Sequence, residues 1–305
     1  MNHPEKILIA GTGALATLFA ARLASAAYPV TMLGTWQEGL DAIRATGIRL
    51  IDSAGQEQKF VVHATDDPRE CPGTRHALVL VKAWQTERAA RQLVECLAVD
   101  GLAVTLQNGL GNRETLIQRL GAGRVALGVT TSGATLLGPG RVKAGGEGPI
   151  SIERHPGLGP LEEGLRSAGF AVRIVEDARS LIWGKLVINS AINPLTALLR
   201  VPNGELLDRP PAREMMGILA AETARVAKAE GVDLPFADPV AAAEEVARKT
   251  ALNRSSMLQD VLRGVPTEID AICGAIVNIA KQHKIPTPAN WACWQLVRAL
   301  LSVQE

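Results

Sequence analysis

The chain is 305 residues long, 47% apolar and 21% charged, with a formal net charge of +1. That length admits two domains, and the composition suits a globular protein with a substantial core. A charge so close to zero excludes a general attraction to nucleic acid or an anionic membrane, and one Tyr with four Phe offers no aromatic platform for stacking bases.

The first half alternates short apolar runs with amphipathic stretches, the pattern of a parallel sheet flanked by helices. A strand over 6–10 ("KILIA") leads into Gly11-Thr12-Gly13-Ala14-Leu15-Ala16 and a helix over 14–26. This is the GxGxxG/A spacing of a dinucleotide fingerprint. Gly11 permits the tight turn, Gly13 lets the backbone approach a pyrophosphate, and Ala16 allows close packing of helix on sheet. The helix N-terminus then meets the anion with free N–H groups. A second strand, 29–33, ends at Gly34-Thr35-Trp36, without the acid that would accept from a ribose 2′-hydroxyl. An Arg for a 2′-phosphate is missing there too, because Arg44 comes ten residues after Gly34, whereas Thr35 and Gln37 suit either ligand. On balance NADP(H) is favoured, with NAD(H) still admissible.

A helix is predicted over 37–46. Residues 47–63 read as a hairpin with "DSAG" at its turn. Strands over 76–81 and 102–106 leave Lys82 and Asn108 just past their carboxyl ends, where such sheets bind ligands. Each also has a plain structural reading, as a solvated loop lysine and as an Asn-Gly turn. Helices at 84–97 and 112–120, a strand at 124–129, and two strands within 138–152 complete this half. After about residue 177 strand-like runs cease, and helices follow at 178–199, 212–231, 238–253, 255–263, 267–283 and 289–303. The expected fold is α/β: a Rossmann-type dinucleotide-binding domain over 1–176, then an all-α domain over 177–305.

The helix that opens the second domain carries Lys185, Asn189 and Asn193 at intervals of four, one stripe on a single face of an otherwise apolar segment. A polar pocket and a solvated edge both fit that spacing. Pro194 is expected to kink or interrupt the helix. Further on, "NRSSMLQDVLRGVPTEIDAICG" (253–274) brings Asn253, Ser255 and Ser256 together, and then Thr267 and Glu268. Ser256 with Gln259 fits a capping box, and Thr267 with Asp270 a looser one. Glu268 in a first helical turn is electrostatically welcome without any function.

Cys71, Cys96, Cys273 and Cys293 are scattered with no CxxC pair, which predicts reduced thiols and a cytoplasmic protein. The histidines are equally dispersed, so no metal site is expected. "MNHPEK" runs straight into a strand, which predicts no signal peptide, and no apolar run is long enough to span a membrane.

Six stretches, "GTGALA", "VKAWQT", "QNGLGN", "WGKLVINSAINPLTAL", "PNGEL" and "SSMLQD…PTEIDAICGAIV", resemble the ketopantoate reductases (2-dehydropantoate 2-reductases) in order along nearly the whole chain. The resemblance implies NADPH-dependent reduction of 2-dehydropantoate to (R)-pantoate, a step towards pantothenate and coenzyme A. It implies catalytic roles for Lys185 and Glu268, and substrate contacts from Asn189, Asn193, Asn253 and Ser256. Lys82 and Asn108 match positions beside the nicotinamide, with Asn108 also at the substrate. Thr35 departs from the family pattern, which often has a basic residue there. Alternatives are a reductase of another 2-oxo acid with the same catalytic set, or a non-catalytic NADP-binding redox sensor, although a sensor needs neither Lys185 nor Glu268. The expected partner is a small 2-oxo acid, with the chain a monomer or a homodimer.

Overall fold

The computed structural model describes residues 5–52 and 54–301. Its chain divides into two compact units. One takes in the chain up to Gln107 together with Asn112–Ala178; the other joins Asn108–Gly111 to the chain from Arg179 onward.

The first unit contains, in order, β1 (Ile7–Ala10), α1 (Ala14–Ser25), β2 (Val30–Leu33), α2 (Gln37–Thr46), β3 (Ile48–Ile51), β4 (Glu57–Phe60), β5 (His63–Thr65) and β6 (Thr74–Val79). Then come α3 (Thr86–Cys96), β7 (Leu97–Thr105), α4 (Asn112–Leu120), β8 (Val125–Thr130), β9 (Ala134–Gly138), β10 (Arg141–Ala144), β11 (Ile150–Glu153), α5 (Gly159–Ser167) and β12 (Val172–Val175). The main sheet runs β12-β11-β8-β7-β6-β1-β2-β5, all neighbours parallel except β11 against β8. Strand order reverses between β1 and β6, the switch point at which doubly wound sheets take their ligands. Side chains alternate as strand geometry demands: Ile7 and Ile9 join the core with Phe19 of α1, while Leu8 faces the opposite core with Leu93 of α3.

The hairpin predicted over 47–63 is β3–β4, antiparallel from Ile48↔Phe60 to Ile51↔Glu57. Ser53 of its turn lies outside the described residues. The hairpin ends earlier than expected, because residues 63–65 leave it to form β5, the edge strand beside β2. A second sheet, β4-β3-β10-β9, holds the hairpin and the first part of the 138–152 segment; the rest of that segment is β11 in the main sheet.

The second unit is helical: α6 (Arg179–Leu199), α7 (Pro210–Ala229), α8 (Pro239–Lys249), α9 (Ser256–Leu262), a π-helical turn over Asp270–Gly274, α10 (Ala275–Gln282) and α11 (Pro288–Leu301). Its core gathers Leu186, Ala191 and Leu195 of α6 with Met216 and Leu219 of α7, Ile276 of α10 and Val297 of α11. α6 continues through Pro194, so of the expected kink or interruption the interruption does not occur. Pro194 is buried in a helix packed against α7, α8, α9 and α11, and that packing outweighs one lost backbone hydrogen bond. Among the described residues no helix is long and apolar enough to cross a membrane.

Candidate active site

In the first unit, Gly11 sits at φ +130°, and a Cβ there would lie 3.1 Å from Leu80 C and O. The turn therefore needs glycine for both conformation and space. Gly13 differs, because a Cβ built on it meets nothing within 4 Å. The protein alone does not require glycine at that exposed position; a group lying against the α1 N-terminus would. Gly13 caps α1 with no side-chain hydrogen bond, and the first turn, Ala14 and Leu15 included, carries no acid. Its N–H groups and dipole thus face an anion-ready surface. Thr12 and Ala16 are buried, and Ala16 is fully packed against the sheet. These residues fit a dinucleotide pyrophosphate.

Thr35 is exposed just past β2, and Lys82 is half-buried past β6, its backbone N–H donating to Gln85 Oε1 at 3.3 Å. Gln107 ties the end of β7 in place: Nε2 donates to Val81 O at 2.9 Å and to Thr86 Oγ1 at 2.8 Å, and Oε1 accepts from Thr105 Oγ1 at 2.9 Å.

In the second unit the 185/189/193 stripe is not a solvated edge. Asn193 is buried, and Lys185 and Asn189 are half-buried. Burial pushes the Lys185 pKa from 10.5 down to about 8, against the upward pull of the Glu268 carboxylate. Glu268 is itself only 5% exposed, and its Oε2 accepts from Asn108 Nδ2 at 3.1 Å. Lys185, Glu268 and Asn108, far apart in sequence, are thus one interacting group: a proton donor with a near-neutral pKa, a carboxylate and an amide. Such a group can protonate and orient an oxygen that gains negative charge.

The loop bearing Asn108 is sewn to the π turn. Leu110 N–H donates to Ala271 O at 2.9 Å, and Gly109, at φ +80°, approaches so closely that a Cβ would fall 2.5 Å from that same oxygen. The predicted helix over 267–283 therefore begins differently from the expectation. Glu268 precedes an inserted π turn, and Asp270 accepts from Trp294 Nε1 at 2.7 Å rather than closing a box with Thr267. π turns of this kind recur at functional sites.

Asn253 and Ser256 are exposed. The expected cap at Ser256 is shifted by one residue: Ser255 caps α9, its Oγ accepting from Leu258 N at 3.0 Å, while Gln259 Nε2 donates to Arg254 O. Ser255 takes that role because its hydroxyl faces inward, 2.7 Å from Thr196 Oγ1 on α6. The cap frees Ser256 from any capping role and fixes the start of α9 against Thr196, about one turn after Asn193 on α6. The four cysteines are free and buried, and no metal-holding cluster occurs among the described residues.

The chain is similar to known proteins over nearly its whole length. The family described as "Ketopantoate reductase PanE/ApbA" matches residues 7–157, and its C-terminal companion, "Ketopantoate reductase PanE/ApbA C terminal", matches 177–301. The chain is 37% identical over 303 residues to the 2-dehydropantoate 2-reductase of Archaeoglobus fulgidus, covering 98% of both chains. A PanE/ApbA family ketopantoate reductase from Ralstonia eutropha JMP134 superposes with a TM-score of 0.90 at 33% identity, covering 97% of this chain and 98% of that one. A D-mandelate dehydrogenase solved with NADH and anilino(oxo)acetate superposes with a TM-score of 0.91 at 25% identity, covering 97% and 98%.

Proposed function

The chain belongs to the ketopantoate reductase family, and from that premise we propose that it reduces 2-dehydropantoate to (R)-pantoate, with Lys185 as proton donor. The observation that carries the catalytic assignment is the Lys185–Glu268–Asn108 group, with its ammonium pKa at about 8.

The coenzyme is a nicotinamide dinucleotide, which when bound supplies a hydride to the ketone carbon. The turn from Gly11 to Ala16 would hold its pyrophosphate, with Thr35 near the adenosine ribose and Lys82 and Asn108 beside the nicotinamide. NADPH is the preferred form and NADH is accepted: β2 ends without an acid, and no basic residue replaces it at Thr35. The division of labour follows the chain, with residues 1–176 as the NADP-binding domain and 177–305 as the helical substrate and catalytic domain.

As hydride adds, charge builds on the carbonyl oxygen. Lys185 Nζ donates to that oxygen and passes it a proton, leaving a neutral amine. Glu268 keeps the ammonium protonated at neutral pH and accepts from a substrate hydroxyl. Asn189, Asn193, Asn253 and Ser256 donate to the substrate carboxylate and its hydroxyl. The free buried thiols suit a cytoplasmic location.

The test is dihydronicotinamide oxidation with ketopantoate beside other 2-oxo acids, in wild type and in Lys185→Ala. Ketopantoate should give the highest kcat/KM, and Lys185→Ala should lower kcat by about 100-fold or more, the cost of losing one charge-stabilising donor in a shielded site. Near wild-type turnover in that variant removes Lys185 from the chemistry.

A further inference from the structure

β2 and β5 pair in parallel with Leu33 opposite Thr65, and Gly34 N–H donates to Thr65 O at 3.0 Å. In that register Gly34 stands level with Asp66, and Thr35 is the next residue beyond Gly34. Asp66 Oδ2 accepts from Gln37 Nε2 at 2.8 Å, and its Oδ1 accepts from Arg44 Nη2 at 3.2 Å. Arg44 is held twice more, Nε donating to Ala64 O at 2.8 Å and Nη1 to Asp41 Oδ1 at 3.2 Å.

The end of β2 is where a doubly wound sheet reads the adenosine ribose, with a carboxylate for its hydroxyls or a guanidinium for a 2′-phosphate. Here β2 ends in neither: the carboxylate comes from the end of the adjacent edge strand and the guanidinium from α2, bonded to each other. We propose that Asp66 sets the coenzyme selectivity of this chain: its carboxylate serves the ribose hydroxyls of NADH and, by engaging Gln37 and Arg44, withholds those donors from the 2′-phosphate of NADPH. A 2′-phosphate meets like charge at Asp66 and is held by Arg44 only after that ion pair opens. The preference for NADPH is therefore small, and the charge at position 66 is its lever. This deepens the coenzyme reading above and rests on it for placing the dinucleotide at α1.

The test is calorimetric titration of NADPH and NADH, without any ketone, into wild type, Asp66→Asn, Asp66→Glu, Arg44→Ala and the Asp66→Asn/Arg44→Ala double variant. Asp66→Asn should raise the ratio of NADPH to NADH affinity by about fivefold or more, the upper range for an accessible charge pair. Asp66→Glu should keep the wild-type ratio, Arg44→Ala should lower it, and the double variant should lose most of the gain. A ratio that moves by less than about twofold in Asp66→Asn, or as far in Asp66→Glu as in Asp66→Asn, overturns the proposal. If neither dinucleotide binds wild type, the coenzyme reading falls and this proposal falls with it; a wrong choice of ketone affects neither measurement.

Discussion

Lys185 shows how far burial alone moves the acidity of one side chain. Its shift to about 8 is set first by desolvation and only partly offset by Glu268. With that pKa the residue is mostly protonated at pH 7, yet gives up its proton far more readily than a surface lysine. The sign of the pH profile follows. On the proposed mechanism ketone reduction needs the ammonium, so its kcat should be level below pH 8 and fall above it with the loss of one proton. Oxidation of the hydroxy acid needs the free amine and should rise over the same interval. Glu268→Gln removes the group that raises the Lys185 pKa, so the alkaline limb should move to lower pH, alongside any loss in rate. Steady-state profiles in both directions read this, and a limb that stays put or moves up in Glu268→Gln would show that the carboxylate does not act on Lys185. The spacing of 185, 189 and 193 marked the polar face from the sequence. It did not separate a pocket from a solvated edge, since that depends on what packs opposite.

At the scale of elements, local patterning was read well where an element is long and periodic. Both α2 and α4 have the predicted bounds, and α6 begins one residue after the expected start. It failed where tertiary partners decide. β5 has only three residues and exists because β2 offers an open edge, while β12 completes the far edge with Arg173 interrupting its apolar run. The π turn is another such case, its carbonyl at Ala271 being used by Leu110 from a loop some 160 residues away in sequence. That docking positions Asn108 against Glu268, and Gly109 is its weak point. In Gly109→Ala a β-carbon must enter at φ +80° and 2.5 Å from Ala271 O, a conflict of roughly 1–3 kcal/mol. The loop should lift, loosening the Asn108–Glu268 hydrogen bond. The expected result is a lower kcat and a higher KM for the 2-oxo acid, with a smaller loss of dinucleotide affinity through Asn108, because the turn after β1 is untouched. An equal loss of dinucleotide affinity would mean that the substitution damages the fold at large.

For the whole molecule, two cores divide the cysteines evenly: Cys71 and Cys96 lie in the first unit, Cys273 and Cys293 in the second. Burial raises all four thiols, Cys96 to about 12 and Cys293 to about 11, so the native protein should react slowly and each thiol should report the opening of its own unit. A ligand that binds only the folded first unit stabilises it by RT ln(1 + [L]/Kd), about 2.7 kcal/mol at a hundredfold excess over Kd. Labelling through unfolding of that unit should then slow by about 100-fold at Cys71 and Cys96. Cys273 and Cys293 should be protected far less unless the ketone site is also filled, because the proposed dinucleotide site draws on their unit only through Asn108. Peptide-level mass spectrometry of alkylated thiols, with and without NADPH, distinguishes the cases. Equal protection of all four cysteines would show that the chain opens as one cooperative body, and protection of Cys273 and Cys293 alone would place the dinucleotide on the helical unit and overturn its assignment to the turn after β1.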